Sequence, residues 1–198
     1  MELLAPANDL NTLIAALEAG ADAVYVGLKK FSARARAKNL SIEELYKASN
    51  ICKKLNKKLY IALNTLIFED EIEELIEILL HLEATKIDGV IIQDYGIYQL
   101  VKDFNLKLNL HASTQMGTKN HIQVNFLKEL GFKRVILERQ LTLDEIRSIK
   151  KKQILNLKFL FMVRCVLLYL VIAFFQKSLQ KGVATEVNVH NHVDGFII

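Results

Sequence analysis

Cysteine is scarce in this sequence, which contains only Cys52 and Cys165. Two cysteines so far apart form neither a disulfide framework nor the short spacing of a metal-binding motif. This usage is typical of a reducing compartment, and we expect a cytoplasmic protein. The amino-terminal stretch MELLAPAND also lacks the charged and then apolar pattern of a secretory signal peptide, which agrees with that expectation.

Glycine and proline are also few, with 8 and 1 among 198 residues. Together with 52% apolar and 24% charged residues, this composition is typical of a globular protein and argues against fibrous and disordered classes. The length suits one ordinary domain or most of a barrel. A net charge of +4 is mild, so it permits an anionic partner without requiring one.

Short apolar runs alternate with helical patterns along residues 1–152. The apolar runs predict strands at residues 3–5, 23–26, 59–62, 89–92, 108–110 and 134–137, and Pro6 is expected to end the first. The helical patterns, two of them opened by the capping boxes SIEE and TLDE, cover residues 9–19, 41–55, 69–82, 96–104, 120–130 and 142–152. Strands this short and continuously apolar are typical of a parallel sheet that is buried on both faces.

Such a series of β/α units builds either an open doubly wound sheet or a TIM-like (β/α) barrel. No glycine-rich phosphate loop follows the first strand, which weighs against the dinucleotide-binding sheet. Polar residues after each strand favour the barrel, because a barrel active site draws on several strand ends at one face. We therefore predict an α/β fold in which residues 1–152 form six units of an incomplete TIM-like barrel, followed by a separate segment at 153–198.

The polar residues expected at the carboxyl ends of the strands define a candidate site. They are Asn8, Tyr25, Asn64, Gln93, Asp94, His111, Ser113, Gln115, Glu138 and Arg139. His111 and Asp94 are a candidate acid–base pair, because imidazole titrates near neutrality and a carboxylate fixes its tautomer. A histidine satisfied by local hydrogen bonds is the alternative. Ser113 is a weaker candidate nucleophile without a nucleophile-elbow glycine pattern, and Arg139 beside Glu138 is either an anion site or a structural ion pair.

Residues 28–38, LKKFSARARAK, place five cations after the second strand. Arg34 and Arg36 are candidate contacts to an RNA backbone, and an ordinary solvated loop is the alternative. Four more cations near the end of the second helix are expected to complement its dipole. They are Lys53, Lys54, Lys57 and Lys58.

The motifs APAND, GADAVYVG, FSARARAKNLS, IALNTL, IIQDYG, LHASTQM and VILERQLTLDEI resemble those of the collagenase-like peptidase family, also called U32. The resemblance covers residues 1–149 and implies a TIM-like barrel. It further implies a peptidase, or an RNA or quinone hydroxylation protein with an iron–sulfur cluster, acting on a peptide or on tRNA or rRNA. By motif match, the family's rim positions are Asn64, Gln93, Asp94, His111, Ser113, Gln115 and Arg139, whereas Gln140 replaces the family's usual glutamate.

These matches, together with the strand-end residue Tyr25 and the loop cations Arg34 and Arg36, define two groups of site residues as hypotheses. The catalytic group is His111, Asp94, Asn64 and Arg139. The substrate-binding group is Gln93, Ser113, Gln115, Tyr25, Arg34 and Arg36.

The resemblance ends near residue 149. The family implies a following strand similar to VFVHGALC and a cysteine-rich stretch ending NRG-x-C-x-x-x-CR, and neither is present. Reading each codon of the tail from its last base permits ALCVSISGY at residues 164–172 and RSSNRGECTQPCRW at 182–195. Three lysines at 150–152, codable as a run of A, are a natural slippage site. We therefore expect residues 153–198 to be an out-of-frame translation that lacks the cluster's thiolates, so that this chain carries no cofactor.

The apolar residues 159–175, with the single charge Arg164, would then be an accident of base composition. On length alone this run lies at the lower edge of a transmembrane helix. A membrane-anchored half-barrel that binds RNA or a partner protein is therefore the alternative. We expect the chain as written to be inactive, because it lacks the cluster and an open barrel leaves unpaired strand edges.

Overall fold

A computed structural model describes residues 2–33 and 38–152 of the chain, together with the backbone of a strand at 158–160. The described strands are β1 (Leu4–Ala7), β2 (Ala23–Gly27), β3 (Lys58–Leu63), β4 (Gly89–Ile92), β5 (Leu110–Ala112), β6 (Arg134–Ile136) and β7 (Lys158–Leu160). The described helices are α1 (Leu10–Glu18), α2 (Ile42–Lys54), α3 (Ile72–Thr85), α4 (Tyr95–Asp103), α5 (His121–Glu129) and α6 (Leu143–Lys151).

The strands pair in chain order from β1 to β7, and every pair is parallel. A helix follows each of the first six strands, as short crossover connections between parallel neighbours require. The predicted α/β series of six β/α units is confirmed.

The two faces of the sheet bury different sets of side chains, because successive residues of a strand point to opposite faces. The outer face carries residues such as Val24, Ile61 and Val90, which pack with the helices in the main apolar core. The inner face carries a smaller apolar cluster: Leu4, Ala23, Tyr60, Ile91 and Ile136. Polar side chains on this inner face therefore lie inside the curved sheet, where water is largely excluded.

Local capping chemistry starts α2 and α6 where the sequence predicts it. The Ser41 hydroxyl accepts from the backbone N–H of Glu44, whose carboxylate accepts from the N–H of Ser41. Thr142 and Glu145 form the same reciprocal pair at α6. Each box satisfies two N–H groups that the helix geometry leaves without a partner.

Three local predictions are wrong. Pro6 lies within β1, which continues to Ala7. Proline is tolerated there because β1 pairs with one neighbour, β2, among the described strands, so the missing N–H removes no ladder bond on its other side. The predicted third helix begins as a 3-10 turn at Glu69–Glu71 before α3. The fifth strand is Leu110–Ala112 rather than residues 108–110, so His111 lies inside the strand and not beyond its end.

Strand β7 lies within the segment that we expected to be out of frame and was not predicted. Its three residues pair in parallel with β6, with Val135 opposite Phe159. Without β7, the outer edge of β6 would present unpaired backbone N–H and C=O groups. Such an edge can pair with any adjacent segment, whatever the side chains of that segment.

Candidate functional site

His111 lies in the barrel interior, and its side chain is 4% exposed. The ring centroids of His111 and Tyr60 are 4.9 Å apart. Gly89 at the start of β4 makes room for the ring, since a Cβ there would lie 2.7 Å from both Cε1 and Nε2 of His111. The histidine is therefore packed among side chains of the inner face instead of projecting from the rim.

A polar cluster surrounds this histidine on the inner face, towards the amino ends of the strands. The Glu2 carboxylate accepts from Lys58 Nζ at 2.6 Å and from the Tyr60 hydroxyl at 3.1 Å, and it pairs with Arg134 Nη2 at 2.8 Å. The Arg134 guanidinium carbon also lies 4.7 Å from the Tyr60 ring centroid, a cation–π distance. The cluster ties the residue before β1 to strands β3 and β6.

Burial and charge shift the pKa values in this cluster. Burial lowers the pKa of His111 to about 3, and the nearby positive charge of Arg134 adds to this effect. Burial alone would raise the pKa of Glu2, but hydrogen bonds and charge from Lys58 and Arg134 outweigh it and lower the value to about 2. Burial also raises the pKa of Tyr60 to about 12. Near neutral pH the cluster therefore contains a neutral imidazole, a neutral phenol, a carboxylate and two cations.

The structure does not bring Asp94 to His111. Asp94 is the N-cap of α4, where its Oδ1 accepts from the backbone N–H of Gly96 at 2.6 Å. Its Oδ2 accepts from the N–H of Ile67 at 2.9 Å, which ties the loop after β3 to α4. Both carboxylate oxygens are thus used locally, and His111 Nδ1 has no partner among the described residues.

Ser113 and Gln115 form a tight turn after β5. Ser113 is 2% exposed, and its hydroxyl accepts from the backbone N–H of Gln115 at 3.2 Å. Its own N–H donates to the carbonyl of Ile92, which extends the pairing with β4 beyond the strand. Gln115 is exposed on the rim. Ser113 therefore has a local capping role that explains its position without a nucleophilic one.

Asn64, at the end of β3, fixes the loop that follows β2. Its Oδ1 accepts from the backbone N–H of Ala33 at 3.1 Å. Ser32 and Asn39 are buried at the base of the same loop, against Gly27. A Cβ at Gly27 would lie 2.3 Å from the Ser32 hydroxyl, so glycine is required for this close approach.

The remaining predicted residues are spread along the rim and the inner face. Gln93 is half-buried just after β4, and Tyr25 is half-buried beside the inner apolar cluster. Glu138 is half-buried and its Oε1 accepts from the backbone N–H of Arg139, whose side chain is exposed. Arg34 and Arg36 lie outside the described residues, as does Cys165.

The described residues do not fit an iron–sulfur cluster. Clusters are held by several thiolates, and Cys52 is the one cysteine in the described part of the chain. It is 1% exposed, and burial raises the pKa of its thiol to about 11. Across residues 2–33 and 38–152, no three His, Cys, Asp or Glu side chains converge as metal ligands would.

Sequence reasoning missed the polar cluster because it searched only the carboxyl ends of the strands. Lys58 was assigned to the dipole of α2, yet it is the first residue of β3 and contacts Glu2. A charged residue at the start of an otherwise apolar strand was the available signal, and both Lys58 and Arg134 show it. Their partner Glu2 could not be identified, because nothing local connects it to either strand.

In the described part of the chain, no helix is both long and apolar enough to cross a bilayer. The predicted apolar run at 159–175 lies outside the described residues, except that Phe159 and Leu160 are in β7.

Comparison with known proteins identifies relatives that match most of this chain. An uncharacterized protease from Methanocaldococcus jannaschii is 41% identical over 151 residues, which are 76% of this chain and 36% of that protein. The 23S rRNA 5-hydroxycytidine synthase of Escherichia coli is 37% identical over 149 residues, 75% of this chain and 22% of that protein. A tRNA hydroxylation protein of Bacillus subtilis is 34% identical over 151 residues, 76% of this chain and 36% of that protein.

This chain thus spans between 22% and 36% of the length of these curated relatives. A solved structure described as a U32 peptidase superposes with a TM-score of 0.62 at 13% identity and covers 98% of this chain and 85% of that one. The superposition supports the predicted TIM-like fold. The family model of Peptidase family U32 matches residues 8–167, which extends beyond the predicted end of the resemblance. This chain belongs to Peptidase family U32.

Proposed function

We propose that this chain supplies the RNA-facing half-barrel of a U32 protein that hydroxylates tRNA or rRNA. The observation that carries the proposal is that residues expected to act in hydrolysis are either buried in an uncharged form or bound to backbone N–H groups. His111 is buried with a pKa of about 3, both Asp94 oxygens hold backbone N–H groups, and the Ser113 hydroxyl caps a turn. The likeness to rRNA and tRNA hydroxylation proteins supports the same class of substrate.

The loop after β2 is the proposed RNA contact. Residues 28–38 carry five cations, and their base is fixed at the carboxyl ends of β2 and β3 through Asn64. Phosphate recognition by lysine and arginine releases counterions, so binding should weaken steeply with salt. Part of the positive charge of this loop is already compensated. Lys30 forms an ion pair with Glu74, and Lys38 Nζ lies 3.8 Å from Asp9 Oδ2. Three cations of the loop remain, and of these we assign Arg34 and Arg36 to RNA, because a guanidinium binds phosphate through two donors whereas Lys29 offers a single ammonium group.

A binding assay with a fluorescein-labelled tRNA tests this assignment. Replacing Arg34 and Arg36 together by Gln should weaken binding about tenfold or more and reduce the slope of log Kd against log salt by about one to two. The matched control replaces two exposed lysines at the opposite end of the strands, Lys54 and Lys133, by Gln. Equal losses in the two double variants would mean that binding follows net charge alone and would contradict the proposal.

Peptide hydrolysis is the second candidate, favoured by the likeness to the archaeal protein named a protease. It predicts cleavage of labelled gelatin that His111→Ala abolishes. Cleavage that survives this substitution would exclude His111 from catalysis, and cleavage lost with it would overturn the hydroxylation proposal.

We further propose that residues 153–198 are translated out of frame, so that this chain lacks the cysteine-rich region of the complete protein and is inactive in hydroxylation. The support is that the shifted reading frame permits family-like segments, at residues 164–172 and 182–195, in the order that the family implies. Resequencing the gene across codons 150–152 tests it, and stop codons in the shifted frame would contradict it. In the repaired protein, an iron–sulfur absorption band should appear.

The membrane-anchored alternative has less support. Phe159 and Leu160 belong to the parallel sheet, which shortens the apolar run available for a membrane helix to residues 161–175. A spanning helix needs about 20 apolar residues. The cytoplasmic location stays a prediction from cysteine usage.

A further inference from the structure

Two large apolar side chains of the loop after β3 are exposed to water, although the backbone of this loop is held in place. Leu66 is 64% exposed and Phe68 is 71% exposed. The N–H of Ile67, between them, donates to Asp94 Oδ2 at 2.9 Å, and the N–H of Phe68 donates to Glu71 Oε2 at 2.9 Å. Because the backbone is already fixed, a partner that binds these side chains has little loop entropy to remove.

The hydrogen bond from Ile67 to Asp94 sets this loop beside the start of α4. Tyr95 follows Asp94 in the chain and is itself 50% exposed. Three large apolar side chains therefore share one place at the carboxyl ends of β3 and β4. We call Leu66, Phe68 and Tyr95 the rim patch. Single exposed apolar residues are ordinary on protein surfaces, whereas a group of them is typical of an interaction site.

Negative charge borders the rim patch. Six carboxylates follow Phe68 within residues 69–77, and residues 64–85 contain no lysine or arginine. Glu69 and Asp70 come directly after Phe68, and both are exposed. A partner of this patch must therefore tolerate or neutralise several negative charges.

Ordinary structural roles account for only part of this charge. Lys30 pairs with Glu74, and Glu73 and Glu74 lie in the first turn of α3, where carboxylates complement the helix dipole. In the part of the chain that the structure describes, Glu69 and Asp70 take part in no ion pair. Their charge is available to a cationic partner beside the exposed rings.

We propose that the rim patch binds a basic segment of a partner protein, in which arginine or lysine alternates with apolar residues. The rings of Phe68 and Tyr95 offer faces to a guanidinium or to an aliphatic side chain, and Glu69 and Asp70 pair with the cations. RNA is the poorer partner here, because the same carboxylates would repel its phosphates. The proposal does not depend on the RNA contact assigned to the loop after β2.

The probe is a short fluorescein-labelled peptide of alternating arginine and leucine, and fluorescence anisotropy with the full chain measures its binding. The wild type should bind it saturably. Replacing its arginines by glutamate, or its leucines by glycine, should each weaken binding about tenfold or more. Absence of saturable binding, or equal binding of the three peptides, would overturn the proposal.

Two double variants test the assigned side chains. Phe68→Ala with Tyr95→Ala should weaken peptide binding about tenfold or more, because it removes both rings. Glu69→Gln with Asp70→Asn should weaken it about threefold or more and should reduce its dependence on salt. All four side chains are exposed, so both variants should keep the circular dichroism spectrum of the wild type. Unchanged peptide binding in either variant would overturn the proposal.

A matched control removes a similar exposed apolar area elsewhere. Ile122 and Phe126 on α5 are 69% and 51% exposed, and their joint replacement by Ala should leave peptide binding unchanged. An equal loss in this control would mean that the peptide adheres to any apolar surface, which would overturn the proposal.

Two further measurements separate the other possible occupants. Phe68→Ala with Tyr95→Ala should leave tRNA binding and the sedimentation coefficient unchanged. A loss of tRNA affinity with unchanged peptide binding would assign the rim patch to RNA. Self-association of the wild type that this variant abolishes would assign it to a second copy of the chain. Either result would overturn the proposal, and neither depends on the outcome for Arg34 and Arg36.

Discussion

The Glu2 carboxylate and the Arg134 guanidinium form an ion pair of 2.8 Å between Oε1 and Nη2. Glu2 precedes β1 and Arg134 opens β6, so strands β2 to β5 separate them in the sheet. Only a strongly curved sheet can bring these two side chains together. The pair thus joins the two sides of the half-barrel through its interior.

Replacing Glu2 by Gln should destabilise the fold by about 3 kcal/mol, because it leaves the largely buried cation of Arg134 without its carboxylate. Urea unfolding followed by circular dichroism measures the change. The control Asp144→Asn breaks an exposed pair with Arg147 and should cost about 0.5 kcal/mol or less. Equal costs for the two substitutions would contradict the central role of Glu2.

The Glu2 contribution should also depend on pH. Its pKa is lowered from 4.5 to about 2 in the folded state, so the unfolded state binds the proton first as the pH falls. The stabilisation is therefore present above about pH 4.5 and is lost as the pH falls toward 2. Acid unfolding curves of wild type and Glu2→Gln should converge over this range.

His111 should make the free energy of unfolding fall between pH 7 and pH 5. Its pKa is about 3 in the folded chain, compared with the ordinary value of 6.5 for a solvated histidine, so protons bind mainly to the unfolded state in this range. The expected loss is about 2 kcal/mol at pH 5. His111→Phe should remove this part of the pH dependence, whereas substitution of the exposed His81 by Gln should preserve it. An unchanged slope in His111→Phe would exclude the buried neutral state.

Gly89→Ala should displace the His111 ring, because the new Cβ would lie 2.7 Å from two ring atoms. We expect a cost of about 2 kcal/mol, which is typical of overpacking. In a His111→Ala background the same substitution should cost about half as much or less, since the two ring atoms are gone and only the backbone oxygen of Asn109, at 3.1 Å, stays close to the new Cβ. A double-mutant cycle by urea unfolding measures the difference, and equal costs in both backgrounds would show that the strain lies elsewhere.

Asp94→Ala should cost about 1–2 kcal/mol through loss of the α4 cap and of the bond to Ile67. Asp94→Asn keeps an oxygen acceptor for the cap and should cost less than half as much. Thermal unfolding compares the two. If Asp94→Asn lowers the unfolding temperature as much as Asp94→Ala does, the charge of Asp94 matters more than its capping geometry.

The sequence was sufficient for features that depend on a few neighbouring residues. The capping boxes at Ser41 and Thr142 and the alternation of strands and helices follow from local hydrogen bonding and apolar periodicity. The family motifs likewise indicated the barrel, and the U32 match confirms the family. The placement of Arg34 and Arg36 in an RNA site stays a prediction.

Local patterns were misleading where a residue's role depends on register. Strand β5 lies two residues further along the chain than predicted, which places His111 inside the strand. The pairing of β5 with β6 then sets His111 opposite Arg134 rather than beside Asp94. Asp94 carries the carboxylate expected of a catalytic acid. Its position just before α4 instead makes this carboxylate a hydrogen-bond acceptor for backbone N–H groups.

The sequence by itself determined the β/α series, the capped starts of α2 and α6, and the family, because the interactions and motifs behind them involve a few neighbouring residues. Only the tertiary structure decided that Glu2, Lys58, Tyr60, His111 and Arg134 form one buried cluster. Their meeting depends on the curvature of the sheet and the register of its strands, which are properties of the whole sheet that no short segment contains.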